Sequence, residues 1–396
     1  MARILIADPN PEPRRPVRRA GLRRRVALAV LVVLSAVPAA VNAAPADAAT
    51  DQAPSSGPAG TVRADEAWER GVTGQGVGVA LIDTGVAPTG ALRDVHARQL
   101  DVSGPGRTTD GHGHGTFLGG LIVGDEGPNG PLGIAPKAQL WSVKVADAVG
   151  HTSLEHVLAG IAAVREHAEE LGIRVVVLAA GGTGGEIADP VEAALEQLWA
   201  DGLVVVVASG NDGGVVAEPG VSPYLLTVGA VDDRIPGTLR TVAWSGSGHG
   251  RDGASKPDVL APGASVVSVR APGSVADREN PDARIDGHWF RGSGTSMAAA
   301  VAAGAAALVL DAHPDLTPDQ VKGRLVASAR PIDGNAAGVV DVLDAIDTAA
   351  PPANAHLPRL APTGLDGSGG DFSWVGKSWV GKSWVDYQWQ SASLGG

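Results

Sequence analysis

The sequence predicts a doubly wound α/β fold, in which a mostly parallel sheet carries helices on both faces. Continuous apolar runs of strand length lie at 78–82 and 203–207, a further strand that is apolar after Arg174 is predicted at 174–178, and segments with helical spacing of apolar residues lie between them. Strands that are apolar on both faces are typical of a covered parallel sheet, and strand–helix–strand order makes neighbouring strands parallel. The 396 residues are enough to bury one core of about 250 to 300 residues.

Residues 1–48 are predicted to be a secretory signal peptide. Arginines cluster between positions 14 and 25, an apolar run follows at 26–37, and small residues that suit a cleavage site stand at 41–48. An uncleaved membrane anchor is the alternative, although this run is shorter than the ~20 residues that span a bilayer. We therefore expect a protein that is secreted or held in the cell envelope.

Composition narrows the classes of partner and cofactor. The net charge of -12 would repel phosphate, and basic residues cluster mainly at the amino end, so no nucleic-acid partner is expected. The chain has no cysteine, and a core of this size does not need disulfides. No cofactor and no metal site are predicted, although structural calcium stays open because the scattered acidic residues show no recognisable ligand spacing.

Two titratable residues stand where a parallel sheet places ligands. Asp83 follows the apolar run 78–82, so we expect its carboxylate at the carboxyl edge of the sheet, although an isolated Asp also suits a turn. His114 lies between two glycines and enters a small-residue helix, where an imidazole could take a proton near neutral pH. Metal binding by His112 and His114 is the other interpretation, but they lie two apart with no His/Glu helix pair or cysteine.

A candidate nucleophile and a candidate amide donor follow further along the chain. Ser296 precedes the apolar run 298–310, which predicts a fully buried helix with Ser296 in its first turn. There the backbone N–H of Ser296 would lack an intrahelical partner, and the helix dipole would favour an oxyanion. A role for Thr295 or Ser296 as a mere helix N-cap is the alternative. Asn211 comes after the apolar run that ends at 207, and so belongs to the same sheet edge.

Taken together, these residues resemble the subtilase (subtilisin-like) serine peptidases from about residue 61 to 346. The resemblance rests on four segments in the family's order: Ile82-Asp83-Thr84-Gly85, His114-Gly115-Thr116, Ala208-Ser209-Gly210-Asn211 and Gly294-Thr295-Ser296-Met297-Ala298. It implies that Ser296 is the nucleophile, that His114 removes its proton and that Asp83 orients the imidazole. Asn211 and the Ser296 backbone N–H would bind the oxyanion.

The resemblance also implies which residues bind the substrate. They form two walls of the pocket for the residue before the cut, namely Ala179, Ala180 and Gly181 on one side and Ala208, Ser209 and Gly210 on the other. Their small side chains favour a large hydrophobic residue, and the substrate backbone would pair as an added strand. Asp212 at the rim is the alternative, since it would admit a basic residue.

The expected function is that of a secreted serine endopeptidase that acts on proteins or peptides as a monomer. A catalytically idle scaffold that binds peptides or envelope components is the second hypothesis. It draws on Val177 and Ala179, which stand where the family commonly carries Asn and Ser in the substrate-binding strand. The intact set of catalytic residues favours the enzyme.

The domain boundaries follow from composition. A linker is predicted at 49–60, the peptidase domain at 61–348, a Pro/Gly-rich linker at 349–370, and a low-complexity tail at 371–396. In the tail, Ser-Trp-Val begins at Ser373, Ser378 and Ser383. A period of five fits neither helix nor strand, so no packed domain is expected there. The alternatives are a solvated tail, and an attachment segment whose indoles contact the cell envelope.

Overall fold

A computed structural model of the chain describes residues 57–92, 99–103, 109–125, 127, 133–181, 188–235, 237–358, 360 and 373–374. The predicted signal peptide at 1–48 lies outside these residues. So do residues 49–56, 359 and 361–370 of the two predicted linkers, and all of the predicted tail except 373–374.

The strands follow the apolar runs of the sequence. Their bounds are β1 Gly78–Asp83, β2 Gln99–Asp101, β3 Gln139–Lys144, β4 Ile173–Leu178, β5 Ala180–Gly181, β6 Val204–Ala208, β7 Leu226–Ile235, β8 Thr238–Thr241, β9 Gly248–His249, β10 Ser255–Lys256, β11 Val259–Pro262, β12 Val266–Val269, β13 Trp289–Gly292 and β14 Ser373–Trp374. Within the described part of the chain, eight of them form one sheet in the order β11–β7–β6–β4–β1–β3–β2, with β8 on β7. All pairs in this order are parallel, and only β8 is antiparallel.

The helices cover the sheet, and this confirms the predicted doubly wound α/β class. Their bounds are α1 Gly57–Thr61, α2 Ala64–Glu69, α3 His114–Val123, α4 Leu154–His167, α5 Ala188–Ala200, α6 Val275–Glu279, α7 Thr295–Ala312, α8 Pro318–Ala327 and α9 Val342–Asp347. Helix α7 is buried from Thr295 to Leu310 and packs on α3 and on the strands β4, β6 and β7. Such a helix, apolar on every side, can only be stable inside a core.

Of the described residues, only α7 forms a helix long and apolar enough to cross a membrane, and 89% of it is buried inside the protein.

The fold extends beyond both predicted domain boundaries. Helix α1 begins at Gly57, inside the predicted linker, because Ala59 is buried and the Thr61 hydroxyl donates to Asp233 at 2.7 Å. At the other end, the buried Asn354 lies past the predicted boundary at 348, and its amide donates to Asp319 at 2.8 Å. Residues on the far side of the predicted boundaries at 61 and 348 therefore contact the fold.

Two strands differ from the sequence prediction. The prolines at 257 and 262 favour a connection rather than a strand, yet residues Val259–Pro262 form β11, which pairs with β7 at one edge of the sheet. A proline is compatible with an edge strand because an edge strand has a side with no partner. Strand β14 lies in the predicted low-complexity tail and pairs with β5.

Candidate active site

The predicted site residues leave the sheet at one edge. Strand β1 ends at Asp83, and its neighbour β4 ends one residue earlier in register, with Ile82 beside Leu178. Strand β6 pairs with β4 so that Val207 lies beside Leu178. The chain that follows each of these parallel strands therefore emerges beside its neighbour, at the carboxyl edge where open α/β sheets bind ligands.

Asp83 and His114 form a buried pair at this edge. His114 is the first residue of α3, and its Nδ1 lies 2.9 Å from both carboxylate oxygens of Asp83. Each side chain is only 1% exposed. Because a carboxylate accepts hydrogen bonds and cannot donate them, this contact assigns the imidazole proton to Nδ1. The other ring nitrogen, Nε2, is then the basic one.

Asp110 holds the start of α3, and sequence reasoning missed this role. Its Oδ1 accepts from the N–H groups of His112 and Gly113 at 3.0 and 2.7 Å and from the Thr84 hydroxyl at 2.9 Å. Its Oδ2 accepts from the Thr116 N–H at 2.9 Å and the Thr116 hydroxyl at 2.7 Å. The signal was an Asp just before a helix start, where carboxylates satisfy unpaired N–H groups.

Lys144 contacts the backbone next to Asp83, and sequence reasoning missed this residue as well. It ends β3 beside Asp83, and its buried Nζ donates to the backbone oxygen of Thr84 at 2.9 Å and to that of Ala146. Burial lowers the pKa of Lys144, and the nearby carboxylates, Asp110 first among them, oppose this. The ammonium thus ties the chain after β1 to the chain after β3.

Ser296 lies in the first turn of α7, as predicted. The helix begins at Thr295, and Ser296 is fully buried. Its hydroxyl donates to the backbone oxygen of Ala179 at 3.3 Å. The helix start is fixed by the N–H of Gly294, which donates to the oxygen of Gly263 at 2.8 Å. The two backbones meet closely there, since a Cβ on Gly263 would stand 2.8 Å from the Gly294 oxygen.

Asn211 is held with a defined amide orientation beside α7. Its Oδ1 accepts from the N–H of Thr295 at 2.9 Å and from the Thr295 hydroxyl at 3.0 Å. A backbone N–H can only donate, so the atom that receives it must be the amide oxygen. The amide NH₂ consequently faces away from Thr295.

The two predicted substrate walls follow adjacent strands. Ala179, Ala180 and Gly181 come directly after β4 or form β5, and Ala208, Ser209 and Gly210 end or follow β6. The four non-glycine residues with described side chains at 179, 180, 208 and 209 are buried, at 5% exposure or less. Gly210 has a φ of +96°, a left-handed conformation that favours glycine. Asp212, the alternative specificity residue, is exposed.

His112 lies beside the pair without joining it. Its ring centroid is 6.3 Å from that of His114, and burial lowers its pKa, with Asp110 opposing. Its ring rests against Gly150, where an added Cβ would come 2.6 Å from the ring. Among the described residues, no group of three His, Cys, Asp or Glu is arranged to hold a metal ion.

Known proteins share this sequence pattern and this fold. Residues 74–364 match the Subtilase family. The chain is 37% identical over 267 residues to the serine protease AprX of Bacillus subtilis (strain 168), a match that spans 63% of this chain and 60% of AprX. It is 32% identical over 273 residues to subtilisin DY of Bacillus licheniformis, spanning 68% of this chain and 89% of that protein.

Two solved structures are similar in fold to most of this chain. Sphericase has a TM-score of 0.57 and 25% identity, over 68% of this chain and 92% of sphericase. Fervidolysin from Fervidobacterium pennivorans, a keratinolytic enzyme related to subtilisin, has a TM-score of 0.58 and 26% identity. That match covers 74% of this chain and 46% of fervidolysin.

Proposed function

Because the chain belongs to the subtilase family of serine peptidases, we propose that it is a secreted endopeptidase that cuts proteins through an acyl-enzyme. The residues proposed to carry the reaction are Asp83, His114, Ser296 and Asn211. The observation that supports this most directly is the buried contact of His114 Nδ1 with both oxygens of Asp83 at 2.9 Å.

His114 acts as the general base in this proposal. A serine hydroxyl is a weak nucleophile, so the imidazole must take its proton as Ser296 attacks the scissile carbonyl. Asp83 keeps the proton of the free imidazole on Nδ1, which leaves Nε2 to accept, and stabilises the imidazolium that forms. The imidazolium then donates to the leaving amine. Water hydrolyses the ester by the same route in reverse.

The oxyanion is stabilised by two donors on different elements. One is the Ser296 backbone N–H in the first turn of α7, where the positive end of the helix dipole lies. The other is the Asn211 amide, whose NH₂ faces away from Thr295 because its oxygen accepts from that residue. Both donors are held before substrate binds, so little reorganisation opposes the reaction.

The substrate backbone pairs with residues 179–181, and the side chain before the cut enters the slot between the two walls. The slot residues are small and mostly apolar, which favours a large hydrophobic side chain. Faster cleavage of peptide substrates after Lys or Arg than after Phe or Leu would overturn this preference and point to Asp212 instead.

A fluorophosphonate probe tests the enzyme against the idle scaffold. We expect one label per folded chain in the native protein, and no label in Ser296→Ala. Hydrolysis of casein by the native protein but not by Ser296→Ala is the second expected result. Absence of labelling in a folded native chain would leave the scaffold as the function, with Val177 and Ala179 as its altered substrate strand.

Secretion, monomeric action and the lack of a cofactor are further parts of the proposal. Export is supported by the basic and apolar pattern of residues 1–48. The amino-terminal sequence of the exported protein tests it. All proposed reacting groups come from side chains and backbone of one chain, so we expect activity at the monomer mass and without an added cofactor; loss of activity in EDTA would point to the structural calcium that the sequence leaves open. A contact of the tail with the cell envelope would make a chain without the tail partition differently between medium and envelope.

A further inference from the structure

The described part of the tail pairs with the strand that is proposed to bind substrate. Strand β14, Ser373–Trp374, runs antiparallel to β5, with Ser373 opposite Gly181 and Trp374 opposite Ala180. Gly181 and Ala180 are two of the three residues of one predicted substrate wall. A peptide that adds a strand to a sheet edge is a general mode of recognition, in which main-chain hydrogen bonds provide the affinity.

The direction of β14 is the one that a substrate needs. Because the pairing is antiparallel, the tail advances from Gly181 towards Ala179 as it approaches its carboxyl end. The Ala179 oxygen accepts from the Ser296 hydroxyl at 3.3 Å. Continuation of the same register by one residue would set Val375 opposite Ala179, which is the position next to the nucleophile. The peptide bond after Val375 would then be the bond presented to Ser296.

Twelve residues, 361–372, connect the last described residue of the core to β14. Leu360 is the last described residue before it and is partly buried against the core. Thirteen peptide steps separate Leu360 from Ser373 and span at most about 43 Å when fully extended. The intervening residues 361–372 include four glycines, and in general a short glycine-rich linker gives a tethered ligand a local concentration in the millimolar range.

The tail repeats the same ligand. Ser-Trp-Val occurs at 373–375, 378–380 and 383–385, followed by Gly, Gly and Asp respectively. Each triplet ends in a β-branched residue that suits an extended backbone. Three copies on one segment raise the chance that one of them occupies the strand.

We propose that the Ser-Trp-Val triplets of the chain's own tail are ligands of the substrate strand, and that Ser296 cuts the bond after their valine. This inference rests on the proposed function and names the substrate class of that site. While a triplet occupies β5, it competes with other substrates. After the cut, the residues beyond the valine are released.

The cleavage step uses only groups already assigned. The Ser296 oxygen forms an ester with the carbonyl carbon of Val375 while the bond to the Gly376 nitrogen breaks. The serine proton passes through His114 to that nitrogen, which leaves as an amine. Water then hydrolyses the ester, leaving a carboxylate on Val375 and restoring the Ser296 hydroxyl.

A binding experiment tests the docking without requiring activity. The full chain with Ser296→Ala is compared with the same chain that also carries Val375→Asp, Val380→Asp and Val385→Asp. A charged residue is a poor fit for a slot that is lined by mostly apolar residues, so the second chain should leave the strand empty. The probe is a fluorescein-labelled Ser-Trp-Val-Gly-Lys peptide, and its Kd is read by anisotropy.

We expect the peptide to bind the chain with the aspartate tail about tenfold more tightly than the chain with the native tail, because a tethered competitor at a local concentration about ten times its own Kd weakens peptide binding by about that factor. A chain with Lys377→Asp and Lys382→Asp is the matched control and should behave like the native tail. A scrambled peptide should not bind. Equal peptide affinity for the native and aspartate tails would overturn the proposal, as would failure of the peptide to bind either.

Intact mass spectrometry tests the cut. We expect the native chain to end at Val375, Val380 or Val385, and the Ser296→Ala and aspartate-tail chains to keep residue 396. A chain that hydrolyses casein but keeps its tail, or cuts it elsewhere, would overturn the cleavage. A chain that neither hydrolyses casein nor takes up a fluorophosphonate would instead refute the proposed function, while the peptide comparison would still measure the docking.

Discussion

Replacement of Asp110 by Asn should lower kcat far more than it changes KM. In the native chain Asp110 accepts five hydrogen bonds around the start of α3. An Asn side chain at this position keeps one oxygen, which can still accept from Thr84, His112 and Gly113. Its NH₂ group replaces the other oxygen and faces the Thr116 N–H. That buried N–H loses its acceptor, and a hydrogen bond to a charged group contributes about 1.5–3 kcal/mol.

The remaining bonds also weaken, because those to a neutral amide are roughly half as strong as those to a carboxylate. We therefore expect the free energy of unfolding to fall by about 2–4 kcal/mol, which leaves a domain of ordinary stability folded. The helix that carries His114 is then free to shift, and a displacement of about 1 Å costs about 10² in rate. KM should change by less than about threefold, because none of the residues that donate to Asp110 belongs to a substrate wall.

The assay is hydrolysis of a chromogenic peptide at 25 °C, together with urea unfolding in a Ser296→Ala background that prevents self-digestion. Asp286→Asn is the matched control, since Asp286 also accepts two backbone N–H groups but lies exposed on the surface. The Asp286→Asn chain should keep the native kcat and KM. A folded Asp110→Asn chain with kcat within about threefold of the native value would refute the positioning argument.

Three further predictions follow from other contacts. In subtilisin, loss of one oxyanion donor costs about 10²–10³ in kcat, and we expect the same loss in Asn211→Leu with KM nearly unchanged; a smaller loss in steady-state kinetics would contradict its role. Burial would raise the pKa of Asp277, but its bonds to Arg270, the Gly273 N–H and Arg284 lower it to about 2. The ionised Asp277 therefore stabilises the fold fully above the unfolded pKa of about 3.9, and this stabilisation is lost as the pH falls through 2. In urea unfolding, the difference in free energy of unfolding between the native chain and Asp277→Asn should shrink from pH 6 to pH 2. Burial lowers the pKa of Lys322 to about 8, below its unfolded value of about 10.4; the unfolded chain binds more protons between these values, so native stability relative to Lys322→Met should rise from pH 8 to pH 10.

The main sheet could be predicted because its central strands are apolar on both faces. Strands β1, β4 and β6 lie at the predicted runs to within one residue. Strand β11 could not be predicted, because Pro257 just before it and Pro262 at its end indicate a loop rather than a strand. The second half of its neighbour β7, which runs to Ile235, could not be predicted either, because its last residues are partly exposed and carry no apolar pattern.

The candidate site could be predicted as far as the topology determines it. Residues that follow parallel strands must emerge at one edge, so the positions of Asp83 and Asn211 at the carboxyl edge could be predicted from the strand runs alone. Asp110 and Lys144 could not. Their partners come from other elements, such as the Thr84 hydroxyl and backbone oxygen, and only the folded chain brings these together.

The five-residue period of the tail excludes a regular helix or strand for the tryptophans as a set, but it does not exclude pairing of one triplet. Strand pairing needs only an extended backbone, and β14 covers two residues. In a continuous strand, an odd period would send successive tryptophans to opposite faces. The triplets therefore cannot bind as equivalent ligands all at once along one edge. Each triplet must therefore dock singly. Replacement of one valine would leave two triplets able to compete, so the test must change Val375, Val380 and Val385 together.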